Sequence, residues 1–559
     1  MSSNTITEYQ TCLYAAACFA LGISVILFHR YTVRGDHALL GHAIGFPALY
    51  LVLGASALSD IALRASRDMG VVYALTLSLI TVAYRLSPWH RLASYPGPLM
   101  AKTTSLWLTY ISSTGKRYLI LDALHARYGP FVRIGPNTLS INSPSAIPLY
   151  LNAEKSDMYQ APGHQVEFTS LFFKQDGVDA HRARRRLWSA MFVPDGLADL
   201  TPLLERRTVQ LLKTMERRQS ETRAGFLDLY ETMYHWSYDF MGDMVFGGCN
   251  KLELMKNGDP RNLIAMGMQS LAMLDVLGQS PWLLDILWHL PFTARWQAYR
   301  KHAAEMMRNR VKAGELAGYR DLASYLMDGG ASADDLEAES NVAIIGGSDS
   351  TSITLTFAIY FLLTNPEYYD RLRKELDGAF PDPTCSLSLK KLADLVFLDG
   401  VINETLRLAP FPSFHPRIVP RGGAVVDGKC IPEGTVFALA AHSQQIGPAN
   451  FSPFPHKFLP DRWQPNGLGP QTRTNKAMLA SFAYGRHACI GRGFAYHQMR
   501  LVLARLLLAF DLELPGDFDD IAFRSGVVNI RTTFLDQRLY VKVTRRPGVD
   551  LDALVNAAV

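Results

Sequence analysis

The ten residues Phe482-Ala-Tyr-Gly-Arg-His-Ala-Cys-Ile-Gly491 decide how the rest of the chain is read. A single cysteine, Cys489, sits between glycines, with the aromatic Phe482 ahead of it and the basic Arg486 and His487 just upstream. A largely apolar segment, Ile490 to Leu514, follows at helical spacing. A thiolate on a glycine-rich turn at a helix start is stabilised by backbone N–H groups and by the helix dipole. Such a sulfur can serve as the proximal ligand of a haem iron, where its electron donation favours O–O cleavage. The plainer alternative is a buried structural cysteine ahead of an ordinary helix. The remaining motifs have to separate the two.

Composition narrows the field. The 559 residues are 48% hydrophobic and 19% charged, with a net charge of +5. That is apolar for a soluble protein and long enough for a sizeable core. No basic stripe interleaved with aromatics occurs, so no nucleic-acid partner is expected. Cys12, Cys18, Cys249, Cys385, Cys430 and Cys489 form no C-x-x-C pair. This argues against a disulfide framework or a structural zinc site, and fits a reducing compartment for the main body.

Three uncharged apolar stretches open the chain: Thr11 to Phe28, Ala38 to Ser59 and Met69 to Tyr84. The second is long enough to span a bilayer, the first just long enough, and the third short; the third could instead be a buried or interfacial helix. Residues 1–92 are read as a membrane anchor with up to three transmembrane helices, one span being the alternative. Lys and Arg are absent before the first stretch, whereas Arg30 and Arg34 follow it, and Arg85, Arg91 and Lys102 follow the third. The positive-inside rule favours an outside N-terminus, an odd number of spans and a cytosolic body. Arg64 and Arg67, placed in the second loop, run against three spans. Tyr95-Pro-Gly-Pro98 reads as a hinge, and residues 93–559 as one catalytic domain.

That domain is predicted to be mainly α with small β-sheets, an α+β class. Long helical patterns cover Ala180 to Phe192, Phe226 to Phe246, Asp334 to Leu363, Lys390 to Leu408 and Arg492 to Phe510. Phe131 to Ile134 and Thr138 to Ile141 flank Gly-Pro-Asn and look like paired strands. On one helix lies Glu404-Thr-Leu-Arg407, whose ends share a face and can pair. Glu305-Met-Met-Arg308 has the same spacing and reads as an exposed pair worth under ~1 kcal/mol. Apolar neighbours (Val401, Ile402, Leu406, Leu408) predict burial for the Glu404 pair. Buried ions need further partners, and Pro460-Asp-Arg-Trp463 can supply Arg462.

In this order, Glu404-x-x-Arg407, Phe458-x-Pro460-Asp-Arg462-Trp463 and Phe482-x-x-Gly485-x-His487-x-Cys489-x-Gly491 resemble the cytochrome P450 family. The resemblance covers residues 93 to 545, and Tyr95-Pro-Gly-Pro98 with the Arg-rich run 182 to 186 is most similar to fungal membrane-bound members. It implies a P450-like fold behind an N-terminal anchor, haem b with Cys489 as the axial iron ligand, and Phe482 against the cofactor. It also implies a structural salt-bridge set of Glu404, Arg407 and Arg462 bracing the cysteine loop. The family most often has Arg at the position of His487, where it meets a haem propionate; His181, Arg185 and Arg417 are the other candidate contacts. The alternative for 182 to 186 is a solvated basic face.

Ile345-Gly-Gly-Ser-Asp-Ser-Thr351 places two glycines inside a helix, costing about 1 kcal/mol each against Ala. Close approach of a flat cofactor would account for them, and so would a helix crossing. Asp349 beside Ser350 and Thr351 suits proton delivery and resembles the acid–alcohol pair of the family, with Ser350 where threonine is usual. By the same resemblance the substrate pocket takes in 159–178, 265–285, the face around Asn341 and Ile344, Phe411 to Phe414, and Val527-Val528. Trp282 and Leu283-Leu284 are expected in a loop that dips into the membrane. The implied activity is a monooxygenase acting on a small lipophilic molecule in fungal specialised metabolism, such as terpenoid or alkaloid biosynthesis. Too little chain follows Cys489 for a fused flavin domain, so electrons are expected from NADPH through a separate cytochrome P450 reductase at the endoplasmic reticulum. The alternative is a haem-thiolate isomerase or dehydratase needing neither O2 nor reductase.

Overall fold

A computed structural model describes residues 3–30, 34–56, 58–160, 170–174, 177–316, 318–409, 414–465 and 467–557. The chain opens with three helices, α1 (Ser3–Arg30), α2 (Gly35–Gly54) and α3 (Ala62–Leu86). The segments Gly35–Gly54 and Ser59–Leu86 are each long and apolar enough to cross a membrane, and almost none of their most apolar windows is buried inside the protein. The third apolar stretch is therefore longer than its uncharged core suggested. Arg64 and Arg67 lie inside α3 rather than in a loop, beside Asp68 at 3.7 and 2.8 Å. Asp68 also accepts from the Tyr9 hydroxyl of α1 at 2.5 Å.

The anchor is attached to the body at two places. At the C-terminal end of α3, Arg85 donates to the Thr103 carbonyl at 2.5 Å, and Arg133 donates to the Arg85 carbonyl at 3.0 Å. Tyr95-Pro-Gly-Pro98 is not a free hinge. Tyr95 is buried and bonds to the Cys430 carbonyl, and a Cβ on Gly97 would lie 2.2 Å from the Arg133 carbonyl oxygen. At the other place, the start of α2 rests on a helix of the body described below.

One five-stranded sheet holds β1 (Phe131–Gly135), β2 (Thr138–Ile141) and β3 (Glu154–Lys155), joined from later in the chain by Arg417–Ile418 and Val436–Leu439. The predicted β1–β2 pairing is antiparallel, with Val132 opposite Ser140. The helices that position the site follow: α4 (Val178–Ser189), α5 (Leu229–Phe246), α6 (Leu263–Leu277), α7 (Pro281–Trp288), α8 (Ala294–Lys312), α9 (Ala333–Leu363) and α10 (Val396–Leu408). The two later sheet strands are β4 (Arg417–Ile418) and β5 (Val436–Leu439); α11 (Arg492–Ala509) and the hairpin β6 (Val527–Ile530) and β7 (Thr532–Leu535) complete the set.

Helix α9 is the axis of the core. Its start is fixed by Ser332, whose hydroxyl accepts from the Asp335 N–H while Asp335 accepts in return, a reciprocal cap. By length and hydropathy it could cross a membrane, but 72% of that window is buried in protein, so it is a core helix. Helix α5 packs along it, and the Ser237 hydroxyl donates to the Ser348 carbonyl at 3.0 Å.

Several expectations are corrected here. The pattern Lys390 to Leu408 is two helices, because the Glu375 carboxylate accepts from the N–H groups of Phe397 and Leu398 and caps a new start. Leu227–Asp228 is a strand rather than the first turn of α5. Arg308 pairs with Glu337 at 2.8 Å, not with Glu305. Trp282, Leu283 and Leu284 belong to α7 instead of a loop. That helix is the body's second contact with the anchor: the Gly35 N–H donates to Asp285 Oδ2 at 3.1 Å, and a Cβ on Gly35 would lie 1.8 Å from the Trp282 carbonyl oxygen.

Candidate functional site

The cysteine turn is built by backbone. Ala483 and Gly485 take positive φ of 53° and 67°. A Cβ on Gly485 would meet the Leu151 carbonyl oxygen at 2.3 Å, so only glycine fits that approach. The Cys489 N–H donates to the Phe482 carbonyl at 2.8 Å, closing the loop just before α11 begins at Arg492. Phe482 rests on Tyr496 of that helix, ring centroids 5.6 Å apart. Cys489 is accessible to solvent although protein surrounds it on nearly every side, so its sulfur opens onto an interior space. Burial pushes the thiol up, against the lowering pull of the Gly491 N–H, Arg185 and Arg492; metal coordination deprotonates such a thiol outright.

Glu404 braces this loop from α10. Its carboxylate takes two bonds from Arg407, 2.8 and 2.7 Å, one from Arg462 at 2.9 Å, one from the Trp463 indole at 2.9 Å and one from the Leu459 N–H at 3.0 Å. All three charged side chains are fully buried. The next link was not legible in the sequence. Gln445 donates to the Arg407 carbonyl at 2.7 Å and accepts from the Ala480 N–H at 3.1 Å, while the Ser481 hydroxyl donates to the Leu406 carbonyl. The brace is thereby tied to the residues that lead into Phe482.

On α9 the two glycines divide between the two explanations offered for them. A Cβ on Gly347 would lie 2.3 Å from Met241 of α5, so this glycine serves the helix crossing. A Cβ on Gly346 would meet nothing within 4 Å. From Leu336 to Leu363 only Gly346 and Ser350 are exposed, and four residues apart they share one face. Exposure at these two positions in the middle of a core helix leaves one short face of it uncovered by protein. Ser350 donates to the Gly346 carbonyl at 3.0 Å. Thr351 is buried with its hydroxyl 3.3 Å from Gln498 of α11, so it packs two helices together and is not in reach of the opening. The Asp349 carboxyl is pushed up to about 7 by burial, and its Oδ2 is buried without a partner among the described residues. Ile344 is fully buried, which removes it from the expected pocket face.

A cluster of basic side chains lies upstream of Cys489, where Lys155, His181, Arg486 and His487 line one pocket. In the antiparallel pair β3–β4, Lys155 stands directly opposite Arg417, and both are buried. Like charges facing each other across strands destabilise a sheet. Burial, then Arg417 and Arg531, push the Lys155 ammonium well below its usual range. The Arg417 Nε is buried with no hydrogen-bond partner among the described residues. Next to them His487 Nδ1 lies 3.1 Å from His181 Nε2, ring centroids 4.3 Å apart. Burial, followed by the Lys155 charge, lowers His487 to about 2 and His181 to about 4. Two neutral rings need one donor and one acceptor between them, so His487 keeps at most one N–H for any other group. In the Arg-rich run, Arg184 pairs with Asp335 and Glu339, Arg182 with Asp179, Arg186 is exposed, and Arg185 donates to the Ala488 carbonyl at 2.8 Å.

These residues fit a thiolate-ligated haem. Cys489 would supply the axial sulfur, Gly346 leaves room for a flat ring, and the buried Arg417 Nε, which has no hydrogen-bond partner among the described residues, would suit an anion such as a propionate. Of the expected pocket segments, residues 161–169, 175–176 and 411–413 lie outside the described residues. Phe414 is buried under the Arg117 guanidinium at 4.4 Å, and Val528 packs on Gly115.

Comparison with known proteins agrees with this geometry. The family model for cytochrome P450 matches residues 95–535. The cytochrome P450 monooxygenase phqL of Penicillium fellutanum is 30% identical over 463 residues, 80% of this chain and 78% of that protein. The cytochrome P450 monooxygenase cpaH of Aspergillus oryzae is 30% identical over 478 residues, covering 82% and 90%. Averantin hydroxylase of Dothistroma septosporum is 31% identical over 471 residues, covering 80% and 85%.

Proposed function

The chain belongs to the cytochrome P450 family, and we propose that it inserts one oxygen atom of O2 into a small lipophilic molecule of fungal specialised metabolism, with electrons from NADPH through a separate reductase. It is an oxidoreductase of the monooxygenase class, like the relatives it matches. When bound, a thiolate-ligated haem supplies the activation of O2 and its insertion into substrate. The observation that carries the reading is the pairing of an accessible Cys489 with a single opening in α9, at Gly346 and Ser350.

The residues have separate tasks. Cys489 would hold the iron, and the Glu404 brace holds the loop that presents Cys489. Arg417, with Lys155, His181, Arg185 and His487 nearby, would hold the propionates. Asp349 stores a proton near neutral pH, and the Ser350 hydroxyl, at the opening, relays it. The retained acid and hydroxyl favour the monooxygenase over an isomerase or dehydratase, which needs no such relay. Helix α2 starts at the body and α3 returns to it, which supports three spans with the N-terminus on the far side of the membrane. The catalytic domain, residues 93–559, then faces the cytosol at the endoplasmic reticulum.

A reduced, CO-bound spectrum tests the ligand: the red-shifted thiolate band is expected, and its absence overturns the reading. Turnover with reductase, NADPH and candidate lipophilic compounds tests the reaction. Product formed from a peroxide substrate without NADPH would favour the isomerase class instead. Ser350→Ala is expected to raise released peroxide relative to product; an unchanged ratio removes Ser350 from the relay.

A further inference from the structure

Residues Ser170 to Phe173 form a tight turn in which the Phe173 N–H donates to the Ser170 carbonyl at 3.1 Å. A buried charge holds the turn at each end. On one side the Leu171 N–H lies 3.1 and 3.0 Å from the two oxygens of the Glu339 carboxylate on α9. On the other, the Lys155 ammonium of β3 donates to the Leu171 and Phe172 carbonyls at 2.9 and 2.8 Å. Donor meets acid and acceptors meet base, and hydrogen bonds to ionised groups are the stronger kind. Glu339 is itself fixed in place. Arg184 of α4 donates to its Oε1 at 2.9 Å and pairs with Asp335 at 2.7 Å.

The turn stands at one end of the uncovered face of α9. Glu339, Ala343, Gly346 and Ser350 follow one another at spacings of four, three and four, and so share a helix face. Glu339 and Ala343 are buried on that face, and the cover ends at Gly346. Seven residues of helix separate Glu339 from Gly346, a distance of about 10 Å. No motif in the sequence pointed to Glu339 or Leu171.

We propose that Glu339 is a positioning residue that sets the length of substrate the site accepts. Through the Leu171 N–H it fixes the Ser170–Phe173 turn as an end-stop, limiting how far a lipophilic substrate extends along α9 from Gly346 and Ser350. A longer substrate enters only if the turn gives way. The inference rests on the proposed function, with substrate lying on that face.

A series of 1-alkylimidazoles from methyl to dodecyl measures the span, because the ring nitrogen binds the haem iron, shifts its spectrum and leaves the tail in the pocket. In the full-length, haem-loaded parent, affinity is expected to rise with chain length to a maximum and then fall. Leu171→Pro removes the N–H that Glu339 accepts, at the second position of a turn, where proline is favoured. In this variant and in Glu339→Ala the maximum is expected to move to longer chains. The dodecyl member should then bind several-fold more tightly, and the methyl member as in the parent. Glu339→Gln keeps an acceptor for Leu171 and is expected to keep the parent's maximum. A maximum that stays in place in Leu171→Pro and Glu339→Ala overturns the end-stop, as does a parent affinity that goes on rising to dodecyl. Either result leaves the thiolate band and methyl binding intact, and with them the proposed function. Loss of the thiolate band in the parent overturns that reading instead. Should Glu339→Ala not fold, an unmoved maximum in Leu171→Pro overturns the proposal alone.

Discussion

Arg407 and Arg462 meet a carboxylate in the brace, whereas Lys155 and Arg417 meet each other across a strand pair. In the brace Glu404 accepts five hydrogen bonds from side chains and backbone, and its charge offsets the two guanidinium groups, although the buried Arg462 Nη1 has no partner among the described residues. In the strand pair, Arg417 keeps a buried Nε without a partner among the described residues while its Nη1 donates to the Pro416 carbonyl, and Lys155, pushed well below its usual range, donates to the Leu171 and Phe172 carbonyls. Buried charge is costly unless paired and hydrogen-bonded. A cluster whose cations share a carboxylate is a structural device, whereas one of cations alone suits charge of the other sign. The two sets are distinguished by charge balance, not by burial.

The largest effect is expected in the brace. Glu404→Ala leaves two buried guanidinium groups uncompensated, a loss of about 3–5 kcal/mol, and no folded haem-containing protein should be recovered. Cys489→Ala should abolish the thiolate band while the melting temperature of protein prepared without haem stays near the parent value. If both variants fail to fold, the division between structure and receptor is broken.

Asp349 gives a pH-dependent effect of intermediate size. Its carboxyl titrates at about 7 in the folded chain against an ordinary 3.8. Between those values the folded state holds a proton that the unfolded state has released, so stability falls as pH rises from about 4 to about 7 and is level above. Melting temperatures at pH 5 and pH 8 should show that fall in the parent. Asp349→Asn should remove it and melt several degrees above the parent at pH 8.

The smaller effects test the receptor. Arg417→Met removes a like charge from opposite Lys155, a gain of roughly 0.2–1 kcal/mol for protein prepared without haem, while the bound haem is released faster. A variant that loses both stability and haem would place Arg417 with the brace. His487→Ala should change haem release least, because His487 has at most one N–H to offer beyond its contact with His181. A release rate equal to the parent's would leave the propionate contacts to Lys155 and Arg417.

What could be read ahead of the structure follows the range of the interactions. The cysteine turn, the Glu404–Arg407 pair and α9 are local patterns, and each stands where its spacing placed it. Gly346 and Gly347 look alike in sequence but face a cavity and Met241 respectively, because helical phase against a neighbour is a tertiary property. For the same reason Thr351 reads as a third hydroxyl of the relay and is in fact packed on Gln498. Lys155 sits in a two-residue strand with no motif around it, and its meaning comes only from the register that sets Arg417 opposite. Gln445 is an ordinary residue whose role depends on partners 35 to 39 residues away along the chain.

The double attachment of the anchor has a mechanical consequence. A body tied to a bilayer by one flexible strand can roll, pitch and swivel freely. Here Arg85 and Arg133 fix one point and Gly35 against α7 fixes another, so only rotation about the line joining them stays easy. Trimming the chain to a soluble fragment would remove this second bearing and leave the Asp285 carboxylate without the N–H it caps.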